Sequence, residues 1–151
     1  AEGLVSADGN VWPLSRPFMI VATQNLIETY GTFPLPNSQL DRFLISMTLG
    51  LPKPDQELEI LSRSGQVHSQ VTPVLSRASV VEMQESVARV ESAPSVREYI
   101  VNLAAASRAD AGVSVGVSPR GSAALLRACQ AWAAFAGRSY IVPEDVQELA
   151  P

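Results

Sequence analysis

Phe18-Met19-Ile20-Val21-Ala22-Thr23, entered through Arg16-Pro17 and left through Gln24-Asn25, is the stretch on which the fold turns. A continuous apolar run of this length suits a strand buried on both faces, as in a parallel sheet. Ahead of it, Leu4–Ser6 and Val11–Leu14 flank Ala7-Asp8-Gly9-Asn10, and Asp-Gly supplies the turn of a β-hairpin. Behind it comes a polar loop with Gly31-Thr32-Phe33-Pro34-Leu35-Pro36, where Asn37 is placed to cap a short helical turn through Asp41. Ile45–Leu49 then reads as a second strand, with Ile45, Met47 and Leu49 alternating with Ser46 and Thr48. Parallel strands need a crossover of about a dozen or more residues, usually a helix. The loop between these two has no room for a helix of normal length, so residues 1–51 read as an incomplete α/β unit.

At Pro52-Lys53-Pro54 the texture changes, and residues 52–151 read mainly as helix. Pro54 opens a helix through about Ser62 with Leu58 and Leu61 inward. Residues 63–78 read as a linker with a short strand near Val71. Ser79 and Glu82 have capping-box spacing, and Val80, Met83, Val87 and Val90 form an apolar stripe behind them. Ser95 and Glu98 repeat the box ahead of Val96, Tyr99, Ile100 and Leu103. After the extended segment 112–117, Ser118 is the N-cap and Pro119 the first residue of a long helix ending at Gly137. Leu125, Leu126, Cys129, Trp132 and Phe135 are its expected buried side. Pro143-Glu144-Asp145 starts a last short helix.

Composition removes several function classes. The chain has 151 residues and a net charge of −4, and ten of its eleven cations are Arg, with Lys53 the exception. A nucleic-acid surface normally shows as a basic domain or stripe, so none is expected. One Cys and one His cannot build a zinc site or an internal disulfide. No signal peptide opens the sequence, and no apolar run approaches the roughly 18 residues that span a bilayer. A cytoplasmic location is the expectation. His68 lies in a polar linker and reads as a solvated surface histidine; Cys129, on an apolar helix face, reads as a buried structural thiol.

Local catalytic machinery is absent from the pattern. A P-loop needs Gly-Lys-Ser/Thr so that backbone N–H groups and the amine hold phosphates, whereas Lys53 sits between two prolines. Glu144-Asp145, the one adjacent acidic pair, starts a helix, where the macrodipole explains it without a metal. No metal site is expected. Three polar residues at element ends remain. Asn25 follows the first strand, and ligands of open α/β sheets bind beyond the carboxyl ends of strands. Arg42 stands in Gln39-Leu40-Asp41-Arg42-Phe43, with Asp41 or Glu28 as ordinary surface partners. Arg120 stands in the first turn of the longest helix, where a cation opposes the dipole by roughly 0.3–1 kcal/mol unless an anion faces it.

Arg16-Pro17-Phe18-Met19-Ile20-Val21-Ala22-Thr23-Gln24-Asn25, Gly31-Thr32-Phe33-Pro34-Leu35-Pro36 and Gln39-Leu40-Asp41-Arg42-Phe43 resemble, in order and spacing, the MoxR family of AAA+ ATPases. The likeness continues through Tyr99-Ile100-Val101, Ser118-Pro119-Arg120 and Gly137-Arg138-Ser139-Tyr140-Ile141-Val142-Pro143-Glu144-Asp145-Val146, nearly the whole chain. Leu26 replaces the proline usual after Asn25, and Asn37-Ser38 an acidic and small pair. The resemblance implies an α/β fragment, residues 1–51, followed by an all-α lid, residues 52–151: the C-terminal half of an AAA+ P-loop NTPase module. It implies that Asn25 is the sensor-1 residue, Arg42 an arginine finger acting in trans, and Arg120 the sensor-2 arginine. It further implies ATP and Mg²⁺ in the full-length protein, with these residues inactive alone. A homo-oligomeric ring, expected as a hexamer, a client enzyme and a von Willebrand A-domain protein are the implied partners, and chaperone-like remodelling is the implied work. In that arrangement the P-loop strand lies between the strand ending at Thr23 and Ile45–Leu49, so those two should pair with another chain or stand a strand-wide gap of roughly 9–10 Å apart, while the lid, residues 54–150, keeps its fold. A non-catalytic helical interaction module is the competing reading.

Overall fold

The computed structural model describes residues 3–24, 35–63 and 71–150. The hairpin forms as β1 (Leu4–Ala7) and β2 (Asn10–Pro13), antiparallel in the register Leu4↔Pro13 to Ala7↔Asn10. Its two-residue turn puts Asp8 at φ 51° and Gly9 at φ 78°. Two successive positive φ values match the right-handed twist of the flanking strands, and Asp-Gly is a sequence that tolerates them.

The two buried strands are not formed. Residues 18–24 and 45–50 carry no regular structure, and the hairpin is the sheet present among the described residues. Met19, Val21, Ile45, Met47 and Leu49 lie open to solvent. The reason is that a strand exists only through its ladder: without neighbours on its edges, an apolar run has nothing to pair with or pack against. The short strand expected near Val71 is likewise not formed.

After α1 (Asn37–Leu40), where Pro36 takes the N-cap position, Asn37 is the first helical residue and no side chain caps the turn, comes α2 (Pro54–Arg63). No residue of α2 is buried, and Leu58 and Leu61, expected to face inward, are each 65% exposed.

The core lies in the four helices that follow: α3 (Arg77–Ala88), α4 (Pro94–Ala109), α5 (Pro119–Phe135) and α6 (Pro143–Leu149). Val96, Ile100 and Ala104 line one side of α4 at i, i+4, i+8. Val96 and Ile100 meet Cys129 and Ala133 of α5, Val146 of α6, and Val90 and Ile141 from the connecting turns. The expected inner face of α5 needs correction, since Trp132 and Phe135 point outward, stacked on each other with ring centroids 6.1 Å apart. At about 100° per residue, Ala133 lies close beside Cys129, whereas Phe135 falls on the opposite side. Small side chains at Ala104, Cys129 and Ala133 let the helices approach closely.

The caps of α3 and α4 also differ from expectation. Ser76, not Ser79, caps α3, accepting the Ser79 N–H at 3.0 Å, and α4 starts at Pro94 after Ala93 with no side-chain cap. Only Val90 of the α3 stripe is fully buried, while Met83 faces solvent. Two loops are stitched by a parallel bridge: the Glu91 N–H reaches the Ser139 carbonyl at 2.8 Å and the Ile141 N–H reaches the Glu91 carbonyl at 3.0 Å.

Candidate functional site

Arg42 and Arg120 belong to two turns that meet. After α1, the Arg42 N–H donates to the Gln39 carbonyl at 3.1 Å and the Phe43 N–H to the Leu40 carbonyl at 3.0 Å, which curls the chain tightly under the arginine. On the other side, Ser118 caps α5 as its sequence promised: its Oγ accepts the Gly121 N–H at 3.0 Å, with Pro119 following. The same Oγ donates to Asp41 Oδ1 at 2.6 Å, across 77 positions of sequence. Asp41, a surface partner for Arg42 on sequence grounds, thus holds the α5 N-terminus instead.

Both arginines are exposed, and neither has an ion-pair partner among the described residues; the ion pairs there are Arg63–Glu59 and Arg138–Asp145. Asn25 lies outside the described residues, as do Glu28 and His68.

The segment leading to Ser118 is pinned to the end of α4. The Val117 N–H donates to Ser107 Oγ at 3.0 Å. At Gly116 the backbone runs so close to α4 that a Cβ would stand 2.5 Å from Arg108 Cγ and 2.7 Å from Arg108 Cα. Glycine is required there by close approach. Below this segment lies a cleft of about 310 Å³ lined by Ile100, Leu103, Ser107, Val117 and Leu125, among others.

At the far end of α5, Arg138 grips Asp145 with two N–H donors, Nη1 to Oδ2 at 2.9 Å and Nη2 to Oδ1 at 2.5 Å. The Val142 N–H donates to the same carboxylate at 2.9 Å, so Asp145 caps α6 from inside its first turn. The Arg138 hydrogen bonds hold the Asp145 carboxyl below its ordinary range despite burial, and they raise the guanidinium in turn. Burial, reinforced by the Asp145 charge, pushes the Cys129 thiol up to about 11. This cluster joins α5 to α6. Its sequence signal was the acidic pair behind Pro143, but nothing short of tertiary structure named Arg138 as the partner.

As a donor set, Arg120 at a helix N-terminus fits a phosphate group, because guanidinium and helix dipole attract the same charge. No group of three or more His, Cys, Asp or Glu among the described residues is arranged to hold a metal ion. Among them, no helix is long and apolar enough to cross a membrane.

Residues 1–45 match the ATPase family associated with various cellular activities (AAA), and residues 105–151 match the AAA lid domain. The chain is 43% identical over 152 residues to protein YeaC of Bacillus subtilis, covering 99% of this chain and 48% of that protein. It is 35% identical over 159 residues to chaperone MoxR1 of Mycobacterium tuberculosis, covering 99% of this chain and 42% of that protein. A crystal structure of a protein assigned as an ATPase from Cytophaga hutchinsonii superposes with a TM-score of 0.82 at 32% identity, over 99% of this chain and 48% of that one. The chain spans about half the length of the curated relatives it matches. An AAA segment carrying the turn of Arg42, followed by a helical lid whose longest helix begins at Ser118-Pro119-Arg120, places this chain in the MoxR-type AAA+ ATPases as the C-terminal part of their core.

Proposed function

We propose that the protein carrying this chain couples ATP hydrolysis to chaperone-like remodelling or activation of partner proteins. The observation that carries the reading is the pair of exposed arginines, Arg42 and Arg120, on turns held against each other and without ion-pair partners among the described residues. A guanidinium left unpaired beside a structured turn is available to an anion. ATP supplies the phosphoryl group whose transfer to water drives the cycle. In phosphoryl transfer the protein contributes mainly positioning and charge stabilisation, and arginines suit that work.

In this reading Arg42 is the arginine finger, reaching the nucleotide of a neighbouring subunit. Arg120 is the sensor-2 residue, holding phosphate oxygens within its own subunit. Asn25 is the sensor-1 residue and orients the attacking water. The P-loop and the Mg²⁺-holding acids belong to the other half of the module, so residues 1–151 alone do not turn over ATP. Residues 1–51 belong to the α/β part and residues 52–151 to the lid. The working assembly is a homo-oligomeric ring, a hexamer, in the cytoplasm, serving a client enzyme with a von Willebrand A-domain protein as co-partner. The chaperone name of the Mycobacterium tuberculosis relative supports the remodelling role.

Mixing subunits tests the reading. In the full-length protein, Arg42→Ala should lower turnover by roughly 10³-fold or more, the worth of an arginine finger, and leave nucleotide affinity in place. Mixed with subunits intact at Arg42 but disabled in their own P-loop, the Arg42→Ala subunits should regain turnover. Absence of rescue would remove the action in trans.

A further inference from the structure

Two hydrogen bonds join residues 3–63 to residues 71–150 among the described residues: Arg77 to the Arg16 carbonyl, and Ser118 Oγ to Asp41 Oδ1. No strand or helix of the first group packs on α3–α6. The second bond touches the neighbours of both arginines. We infer that the Asp41–Ser118 hydrogen bond is a positioning link that sets the reach of Arg42 according to the attitude of the lid helix α5. The inference rests on the proposed roles of Arg42 and Arg120.

Each end of the link belongs to a stiff piece. Arg42 and Phe43 are tied by their N–H groups to Gln39 and Leu40, so the turn moves as a unit with Asp41. At the other end, Pro119 fixes its own φ, and Ser118 is tied to both Gly121 and Ser122, the latter through the Ser122 N–H to the Ser118 carbonyl at 3.0 Å. Since α5 is anchored in the core by Cys129 and Ala133, a tilt of the lid carries Ser118 with it. Asp41 bonds Ser118 through Oδ1 and forms no ion pair with Arg42 among the described residues. Beside the link, a Cβ at Gly121 would stand 2.9 Å from Val117 Cγ1, so glycine there lets Val117 pack against the first turn of α5. A lid that senses nucleotide through Arg120 would thereby move the turn that presents Arg42 to the next subunit. Asp41 and Ser118 are positioning residues in this scheme, not groups that touch the nucleotide.

The test separates the link from the helix cap. Aspartate is as good an N-cap as serine, but it cannot donate to Asp41 and places a like charge beside it. In the full-length protein, Ser118→Asp should lower kcat roughly tenfold, the loss of one hydrogen bond to a charged group, with KM within about twofold. Amide exchange at Arg42 and Phe43 should speed up by a similar factor. Asp41→Asn, which leaves the helix untouched, should lower kcat about threefold because a neutral acceptor bonds roughly half as strongly. The double variant Asp41→Asn/Ser118→Asp restores a donor facing an acceptor and should recover kcat to within about twofold of the parent. Unchanged kcat and exchange in Ser118→Asp, or no recovery in the double variant, would overturn the link while leaving Arg42 in its proposed role. If Arg42→Ala itself leaves turnover intact, both the role and the coupling fall, whatever the exchange rates show.

Discussion

Asp145→Ala should unravel the junction between α5 and α6. The Asp145 carboxylate is 3% exposed and accepts three N–H donors, two from Arg138 and one from Val142. Breaking a buried pair by removing one partner costs about 3–5 kcal/mol. The lower end applies, because Arg138 keeps 26% of its side chain exposed and water can cover the released guanidinium. A loss of about 3 kcal/mol is therefore expected, or a fall in Tm of about 10 °C or more for a unit of this size. The loss should be present at neutral pH and fade in acid. Unfolded, the carboxyl titrates near 3.8; folded, it titrates lower. Well above pH 3.8 both states are ionised and the stabilisation is complete. As pH falls further the unfolded state takes up the proton first, and the stabilisation drains away through the depressed value. Urea titrations of the chain and the variant, followed by far-ultraviolet circular dichroism between pH 7 and 3, measure both effects. Replacing both partners, as Arg138→Met/Asp145→Leu, should recover part of the loss because no buried charge is left unmatched. A difference under about 0.5 kcal/mol at pH 7 would refute the argument, since that is the ordinary scatter of surface substitutions.

Three further outcomes are expected. Arg120→Ala in the full-length protein should weaken ATP and ADP binding within one subunit; unchanged affinity by titration calorimetry, with unchanged turnover, would end the sensor-2 assignment. Cys129 should resist alkylation in the native chain and react once urea exposes it, because burial leaves the thiol about 11 in pKa and out of reach; rapid labelling under native conditions would contradict that packing. Gly116→Ala should lower stability by about 1–3 kcal/mol through overpacking against the Arg108 backbone, read as a shift in the urea midpoint, whereas an unchanged midpoint would show that the segment can yield.

Local chemistry was legible without coordinates. Asp8-Gly9 announced its hairpin because the turn needs two residues that accept positive φ, and Ser118-Pro119 and Gly137 announced the ends of α5 because capping satisfies backbone groups within a few residues. Pattern and spacing also carried the family likeness, and with it Asn25, Arg42 and Arg120 as candidates. Periodicity misled where the answer depended on what lies opposite. Leu58, Leu61, Trp132 and Phe135 have the spacing of core residues, yet they face solvent. The apolar runs at Phe18–Thr23 and Ile45–Leu49 have the composition of strands but no ladder. Burial and strand pairing are properties of two surfaces, and a sequence displays one of them. The same limit hid the Arg138–Asp145 grip and the bond from Ser118 to Asp41: each residue had a sufficient local explanation, and only the folded chain brings its partner within 3 Å.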